Sequence, residues 1–348
     1  MEKQATRKVC VTGGAGYLGS WLVKKLLDKG YTVHATLRNL EDKTKVGLLK
    51  SLPGADSKLV LFQADIYNPD EFKHAIQGCE FVFHMATPQQ TPGSTQTSQE
   101  MIEAVVSGVR SIAESCIQSA TVKRLIYTAT SLAASPITKD GKLDFKSNIN
   151  ELCWTPVDIT LTHGLDYIMT YTISKTLAEK EALSYNDKPN CKLEVVSLPL
   201  GLVGGETLLS YVPLSVQVML SQLIGNSETF KALQFQQQLL GSILMVHIDD
   251  VCDAHIFCIE KPSMRGRFFC AAANSTITEI ATYFRLNYPQ YQITEEFMGE
   301  EMEAISCDRS KLVKMGFEYK YDMKNILDDG VKCGSRLLGA DHVFMINQ

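Results

Sequence analysis

Three glycines, Gly13, Gly16 and Gly19, separate the apolar run Val9-Cys10-Val11 from a stretch of helix formers at residues 21–27 (WLVKKLL). A chain that leaves a strand on glycines and turns straight into a helix sets bare backbone N–H groups beside a positive helix N-terminus. That arrangement suits a dinucleotide pyrophosphate. A lone glycine triplet is common in ordinary turns, so the weight comes from its surroundings. Leu18, Leu22 and Leu26 recur with Val23 and Leu27 at helical spacing, Lys29-Gly30 supplies a C-terminal stop, and residues 31–37 (YTVHATL) read as a second strand. The result is a strand-helix-strand unit with a cradle formed by Thr12, Gly13, Gly16, Tyr17, Leu18 and Gly19. A βα unit without a ligand is the alternative.

Arg38 ends the second strand, where a protein selecting an unphosphorylated cofactor places an acid for the ribose 2′-OH. A guanidinium instead grips a 2′-phosphate through paired charge-assisted bonds, so the reading favours NADP(H) over NAD(H). Lys45 either adds a second positive charge from the following loop or is a solvated lysine of the charged stretch that holds Glu41, Asp42 and Lys43.

The 348 residues suffice for one large α/β domain and a smaller lobe. A formal net charge of -5 gives no footprint for nucleic acid, and no basic tract suggests a membrane surface. No apolar run reaches the roughly 18 residues of a spanning helix, and the first residues hold no signal-peptide core. The expectation is a soluble, cytoplasmic protein with no membrane span. Ten cysteines are scattered without a C-x-x-C pair or a histidine cluster at ligand spacing, so they are expected to be small buried hydrophobes, with no metal site.

Beyond the first unit the pattern repeats. Residues 58–62, 79–84, 123–127 and 193–198 are short apolar runs without alternation, and helical stretches at 71–76 and 101–119 lie between them. Parallel strands buried on both faces read this way, and alternating strand and helix builds a doubly wound parallel sheet. The expected fold is α/β, a doubly wound parallel Rossmann sheet with a smaller C-terminal substrate lobe. The sheet domain is assigned to residues 1–204 with 246–260, whose segment 246–251 reads as a last return to the sheet. The lobe takes residues 205–245 and 261–348, closing over the carboxyl edge where open α/β folds bind ligands. Asp65 and Ile66, ending the third strand, are placed to meet adenine, with a turn or capping acid as the alternative for Asp65. Met85, Ala86 and Thr87 end the fourth strand beside the pyrophosphate, and Pro199 and Gly201 follow the strand at 193–198 on the cofactor side.

Tyr171 and Lys175 fall four apart in a stretch of strong helix formers and so share one helical face. A phenol with a pKa of about 10 is a sluggish acid at neutral pH, and a nearby ammonium stabilises its phenolate. Lys175 can also donate to a nicotinamide ribose. A tyrosine packed on its neighbour would show the same spacing, but the pair follows a nucleotide-binding half, where proton transfer must meet hydride transfer. A third hydroxyl, Thr130 or Ser131, lies at the end of the fifth strand and can stabilise negative charge on a carbonyl oxygen.

These residues resemble the extended short-chain dehydrogenase/reductases, especially plant dihydroflavonol reductase, anthocyanidin reductase and vestitone reductase. The resemblance spans nearly the whole chain and rests on residues 11–21 (VTGGAGYLGSW), 78–88 (GCEFVFHMATP), 171–180, 247–252 (HIDDVC) and 311–317 (KLVKMGF). The segments 252–257 and 270–274 look most like anthocyanidin reductase. The resemblance implies an NADP(H)-dependent carbonyl reductase of specialised, flavonoid-like metabolism, acting on a small molecule as a monomer or weak homodimer. In it Thr130 takes the place of the usual catalytic serine, Tyr171 donates the proton, and Lys175 tunes it. Ser131, Ser135 and Leu244 fall at substrate positions. Ser135 stands where the dihydroflavonol reductases place an asparagine, and Leu244 where they place a glutamine, which argues against a dihydroflavonol substrate. The loop at 89–98 is also unlike its flavonoid-binding counterpart, and the segment between Ser131 and Tyr171 is long. Cinnamoyl-CoA reductase is an alternative, although its N-W-Y-C-Y signature is missing around Tyr171. A nucleotide-sugar epimerase and a non-catalytic NADPH sensor are others; Arg38 speaks against the first and the retained Tyr171/Lys175 pair against the second.

Overall fold

The computed structural model describes residues 7–88, 97–138, 148–158 and 166–338. Most of the unusual loop at 89–98 and much of the long segment after Ser131 lie outside these residues. Two compact units emerge: Met1–Ala129 with Leu177–Leu198 and Cys252–Arg267, and Thr130–Thr176 with Pro199–Val251 and Phe268–Gln348.

The first unit is a seven-stranded parallel sheet. Its strands are β1 (Lys8–Thr12), β2 (Thr32–Leu37), β3 (Leu59–Gln63), β4 (Phe81–His84), β5 (Arg124–Thr130), β6 (Glu194–Leu200) and, after two further strands in the chain, β9 (Gly266–Arg267). They run in the order β3-β2-β1-β4-β5-β6-β9, so the winding reverses between β1 and β4. Val9 pairs with Val33 on one side and Phe81 on the other, which fixes the register of the centre. The unbroken apolar runs are explained by burial on both faces: Val9, Val11, Val33, Val82 and Leu125 are all fully buried.

Helices cover the sheet through narrow apolar stripes. The helix Tyr17–Asp28 buries Leu22, Val23, Leu26 and Leu27 and ends where Gly30 adopts a φ of 89° and Tyr31 N–H bonds back to Leu26. The helix Ser98–Gln118 opens on a capping box between Thr97 and Glu100 and buries Met101, Val105, Val109, Ile112 and Cys116. Seven of the ten cysteines are buried; Cys153, Cys191 and Cys307 are half-buried.

The second unit holds a three-stranded sheet of β7 (Leu202–Gly204), β8 (Ile243–His247) and β10 (Ala273–Ser275). Central β8 runs parallel to β7 and antiparallel to β10. This corrects the expected last return to the large sheet. Segment 243–247 belongs to the small sheet, and β9 closes the large one beside β6. The cause is a ladder from β7 that pairs Leu202, Val203 and Gly204 with Met245, Val246 and His247. The two units divide the chain differently from the sequence reading: residues 130–176, 199–204 and 246–251 fall in the second unit and 261–267 in the first.

The V-H-I-D-D segment works structurally here. His247 Nδ1 accepts the Asp249 N–H at 3.1 Å, and its ring stacks on Tyr321 at 3.8 Å. Buried Asp250 accepts the N–H groups of Lys320 and Tyr321 at 3.0 and 3.2 Å. Among the described residues no helix is long and apolar enough to cross a membrane.

Candidate active site

In the first unit β1 ends on Gly13, whose φ of 69° turns the chain, and Gly16 N–H closes the turn on Gly13 O at 3.0 Å. Gly19 is demanded by contact, and Gly13 by its positive φ with a tight contact beside it. A Cβ on Gly19 would lie 2.2 Å from Gly13 O, and one on Gly13 would lie 3.1 Å from Ala86 Cα. The helix then starts at Tyr17 with no side-chain cap and no acid in its first turn. The amides of the first turn at Tyr17, Leu18 and Gly19, at a positive helix end reached over bare glycines, fit a dinucleotide pyrophosphate.

Thr12 is the hinge pin of this cradle. Its Oγ1 accepts the N–H groups of Met85 and Ala86, each at 3.1 Å, and lies 2.9 Å from His84 Nδ1. With both lone pairs taken, the threonine donates its own proton to His84. Thr12 thus stitches the end of β1 to the end of β4. The Met85 and Ala86 amides point at Thr12, while Thr87 follows them half-buried.

Arg38 stands one residue beyond β2 and is exposed. Lys45 is tied locally. Its N–H is capped by Asp42 Oδ1 at 3.1 Å and its Nζ lies 3.4 Å from Asp42 Oδ2, in the first turn of the helix Lys43–Lys50. The Lys45 N–H holds the Asp42 carboxyl below the usual carboxylate range. Asp65 also works within its own turn: its Oδ1 accepts Tyr67 N–H at 3.1 Å, and its N–H donates to Glu71 Oε2 at 2.9 Å. Ile66 is buried against Gly108, where a Cβ would come within 2.4 Å of its Cδ1.

In the second unit the helix Asp166–Ser184 carries Tyr171, half-buried, and Lys175, buried one turn on. The Thr130 hydroxyl, at the end of β5, hydrogen bonds to the Tyr171 hydroxyl. Burial pushes the Tyr171 phenol up, and the bond from Thr130 draws it back down in part. Thr130 Oγ1 also accepts the Leu132 N–H at 3.3 Å, capping the short 3₁₀ turn Ser131–Ala133. Of the two adjacent hydroxyls, Thr130 is the one bonded to Tyr171; Ser131 lies buried in the turn. A phenol held against a second hydroxyl has the chemistry for proton donation beside a polarising group.

The residues expected to meet substrate are engaged by the protein itself. Ser135 Oγ donates to Leu239 O and accepts the Ile137 N–H, the latter at 3.0 Å. Leu244 is fully buried in β8, paired with Asn274. Pro199 O accepts Cys270 N–H at 2.9 Å, Gly201 N–H donates to Cys270 O at 3.1 Å, and a Cβ on Gly201 would lie 2.8 Å from Leu244 O. Thr155 escaped sequence reasoning. Buried among loop residues, it bonds the turn after Thr130, and no spacing pattern marks it.

Comparison with known proteins gives this geometry a family. The family described as NAD dependent epimerase/dehydratase matches residues 9–269. A Ginkgo biloba protein provisionally described as an anthocyanidin reductase is 38% identical over 330 residues, covering 94% of each chain. The dihydroflavonol 4-reductase of Gerbera hybrida is 36% identical over 333 residues, covering 95% of this chain and 87% of that one. The crystal structure of vestitone reductase from alfalfa (Medicago sativa L.) superposes with a TM-score of 0.76 at 35% identity, covering 94% of this chain and 98% of that one. The chain belongs to the NAD dependent epimerase/dehydratase family and, within it, is an NAD(P)-dependent extended short-chain reductase of the dihydroflavonol reductase, anthocyanidin reductase and vestitone reductase group.

Proposed function

We propose that this protein is an NADPH-dependent carbonyl reductase acting on a flavonoid-like substrate or a related phenolic or alicyclic ketone, as a cytoplasmic monomer or weak homodimer. The observation that carries the reading is the hydrogen bond between the Thr130 and Tyr171 hydroxyls, one helical turn from Lys175. Bound NADPH supplies hydride to an electrophilic carbon. Tyr171 gives its proton to the oxygen, which otherwise gathers negative charge, and Thr130 donates a hydrogen bond to the same oxygen. Lys175 offers an ammonium that stabilises the phenolate left behind and can hold the nicotinamide ribose. The glycine cradle and the first turn at Tyr17, Leu18 and Gly19 hold the pyrophosphate, and Arg38 selects the 2′-phosphate.

On the substrate side, Ser135 and Leu244 stand where dihydroflavonol reductases are expected to carry asparagine and glutamine, and both are engaged internally. A buried substrate hydroxyl left unpaired costs about 1–3 kcal/mol, which disfavours a dihydroflavonol. Reduction of a flavylium-type substrate, as in the anthocyanidin reductases this chain resembles, is the leading specific reading. The test is a panel assay following NADPH consumption with an anthocyanidin, a dihydroflavonol, an isoflavanone, a cinnamoyl-CoA thioester, and terpenoid and alkaloid ketones. Turnover of a flavonoid-type substrate supports the reading. Turnover confined to the thioester, or no turnover with any carbonyl, overturns it.

A further inference from the structure

We infer that Thr155 is a positioning residue for proton transfer, holding the turn that aims the Thr130 hydroxyl at Tyr171. The inference rests on the proposed roles of Thr130 and Tyr171 and adds a residue that neither the motifs nor the family comparison assigns.

Thr155 sits in a surface segment, with Leu152 87% exposed three residues earlier, yet is itself only 2% exposed. Its hydroxyl and its backbone N–H make three hydrogen bonds to one short stretch. Its Oγ1 donates to Leu132 O at 2.5 Å and accepts Ser135 N–H at 2.9 Å, and its own N–H donates to Ala133 O at 3.1 Å. That stretch follows Thr130 directly. Leu132, whose carbonyl Thr155 holds, donates its N–H to Thr130 Oγ1 at 3.3 Å. The path is therefore continuous through hydrogen bonds, from Thr155 to the Leu132 peptide units, to Thr130, to Tyr171.

The direction of the last bond depends on the earlier ones. A hydroxyl has one proton and two lone pairs, and the Leu132 N–H occupies one lone pair of Thr130, which restrains rotation of its O–H. If the turn relaxes and Leu132 swings away, that restraint goes, and the hydroxyl is free to turn from Tyr171 to another acceptor. A second anchor, Ser135 Oγ on Leu239 O, holds the far end of the same stretch, so Thr155 acts at its middle rather than as the sole attachment. A threonine present only to fill space would satisfy no such set; here each bond falls on residues 132–135.

The test uses the full-length protein with its tyrosines labelled with carbon-13 at Cζ, the Tyr171 resonance being identified by its loss in Tyr171→Phe. At neutral pH that resonance reports the hydrogen bond from Thr130. Thr155→Val removes the hydroxyl at constant volume and should move the resonance in the direction Thr130→Val moves it, whereas Thr155→Ser should restore the native position. The double variant should move it no further than Thr130→Val alone. With the most reactive substrate of the panel, Thr155→Val should lower kcat about 10-fold while KM changes by less than about 3-fold, since a misplacement of about 1 Å can cost up to about 10²-fold in rate. NADPH affinity should stay native. Should Thr155→Val not fold, Thr155→Cys, with its weaker donor, carries the same comparison.

The inference is overturned if the resonance and kcat of Thr155→Val stay native, or if Thr155→Val costs as much in the Thr130→Val background as alone. A different result strikes the underlying reading instead: if Thr130→Val leaves both the Tyr171 resonance and turnover unmoved, Thr130 is not the partner of Tyr171, and the fault lies there rather than with Thr155.

Discussion

Glu179 and Arg267 meet fork to fork, with Nε and Nη2 of the arginine each 2.8 Å from a different carboxylate oxygen and side-chain exposures of 0% and 4%. Ser197 Oγ donates to the same carboxylate at 2.5 Å, and Ser197 is also the register partner of Arg267. Strand β9 is only two residues long, so its ladder is short. The ion pair and the serine hold it against β6.

Glu179→Ala should therefore destabilise the protein by about 3–5 kcal/mol, because it leaves a buried guanidinium without its counter-charge. Replacing both partners by apolar residues of similar volume, Glu179→Leu with Arg267→Met, should recover most of that loss. Denaturant titration of the variants checks both. A Glu179→Ala variant within about 0.5 kcal/mol of the native protein, the size of an ordinary surface change, would mean that water or a rearranged partner takes over the arginine.

Tyr171→Phe should abolish carbonyl reduction and leave NADPH binding nearly native, because the phenol contributes a proton rather than cofactor affinity. Lys175→Ala should weaken both, since in the proposed mechanism the ammonium serves the ribose as well as the phenolate. Fluorescence titration with NADPH, run beside the turnover assay, separates the two effects. Retained turnover in Tyr171→Phe would remove the proposed mechanism.

Much of this was legible in the sequence, and the parts that were not have physical reasons. The glycine cradle is local: Gly13 is required by its positive φ and Gly19 by a contact with Gly13 O six residues back, and the motif records them. Tyr171 and Lys175 share a helix, so their spacing already places them on one face. The ladder between β7 and β8 joins segments about forty residues apart, and periodicity carries no signal for such a pairing; segment 246–251 therefore read as part of the wrong sheet. Asp65, Met85 and Ala86 read as ligand contacts because of where their strands end, and Ser135 because of the family resemblance, while the hydrogen bonds that engage them depend on backbone direction. Thr155 was invisible for the same reason. Nothing about a threonine in a loop announces which carbonyl it will meet.

Arg38 is exposed just past β2, and the lysine that might have shared its task is paired with Asp42. On the proposed reading the choice of cofactor accordingly falls on Arg38. Arg38→Asp should shift preference towards NADH, by repelling the 2′-phosphate and accepting bonds from a free ribose hydroxyl. Lys45→Ala should change the preference little. Dissociation constants for NADPH and NADH on the three proteins decide the matter, and equal native affinity for both cofactors would undo the argument.

Alkaline pH should destabilise the fold through its buried thiols. Burial pushes Cys79 and Cys258 up to about 12, and raises Cys10 and Cys116 as well. A folded pKa above the unfolded value of about 8.5 means that the native state holds the proton more tightly. The stabilisation is fully present below about pH 8.5 and is lost as pH rises towards the folded values. Unfolding free energy should therefore be level through neutral pH and fall above about pH 9, with a shallower fall in Cys258→Ala. A steeper fall in that variant would point to other groups as the cause.

Thr130 and Ser131 are adjacent hydroxyls, and only Thr130 is bonded to Tyr171. If that hydroxyl stabilises charge on the reacting oxygen, Thr130→Val should lower kcat by about 10²-fold or more while keeping the shape of the side chain. Thr130→Ser keeps both the hydroxyl and the cap on Leu132 N–H and should retain most activity. Ser131→Ala, altering a residue buried in the turn, should matter little. The pH profile adds an independent sign. Burial raises the Tyr171 phenol and the bond from Thr130 lowers it, so losing that bond should move the alkaline limb of residual kcat to higher pH. Thr130→Ser should leave the limb in place. A crippled Ser131→Ala beside an active Thr130→Val would assign the polarising role to the neighbouring hydroxyl and require Tyr171 to reorient during turnover.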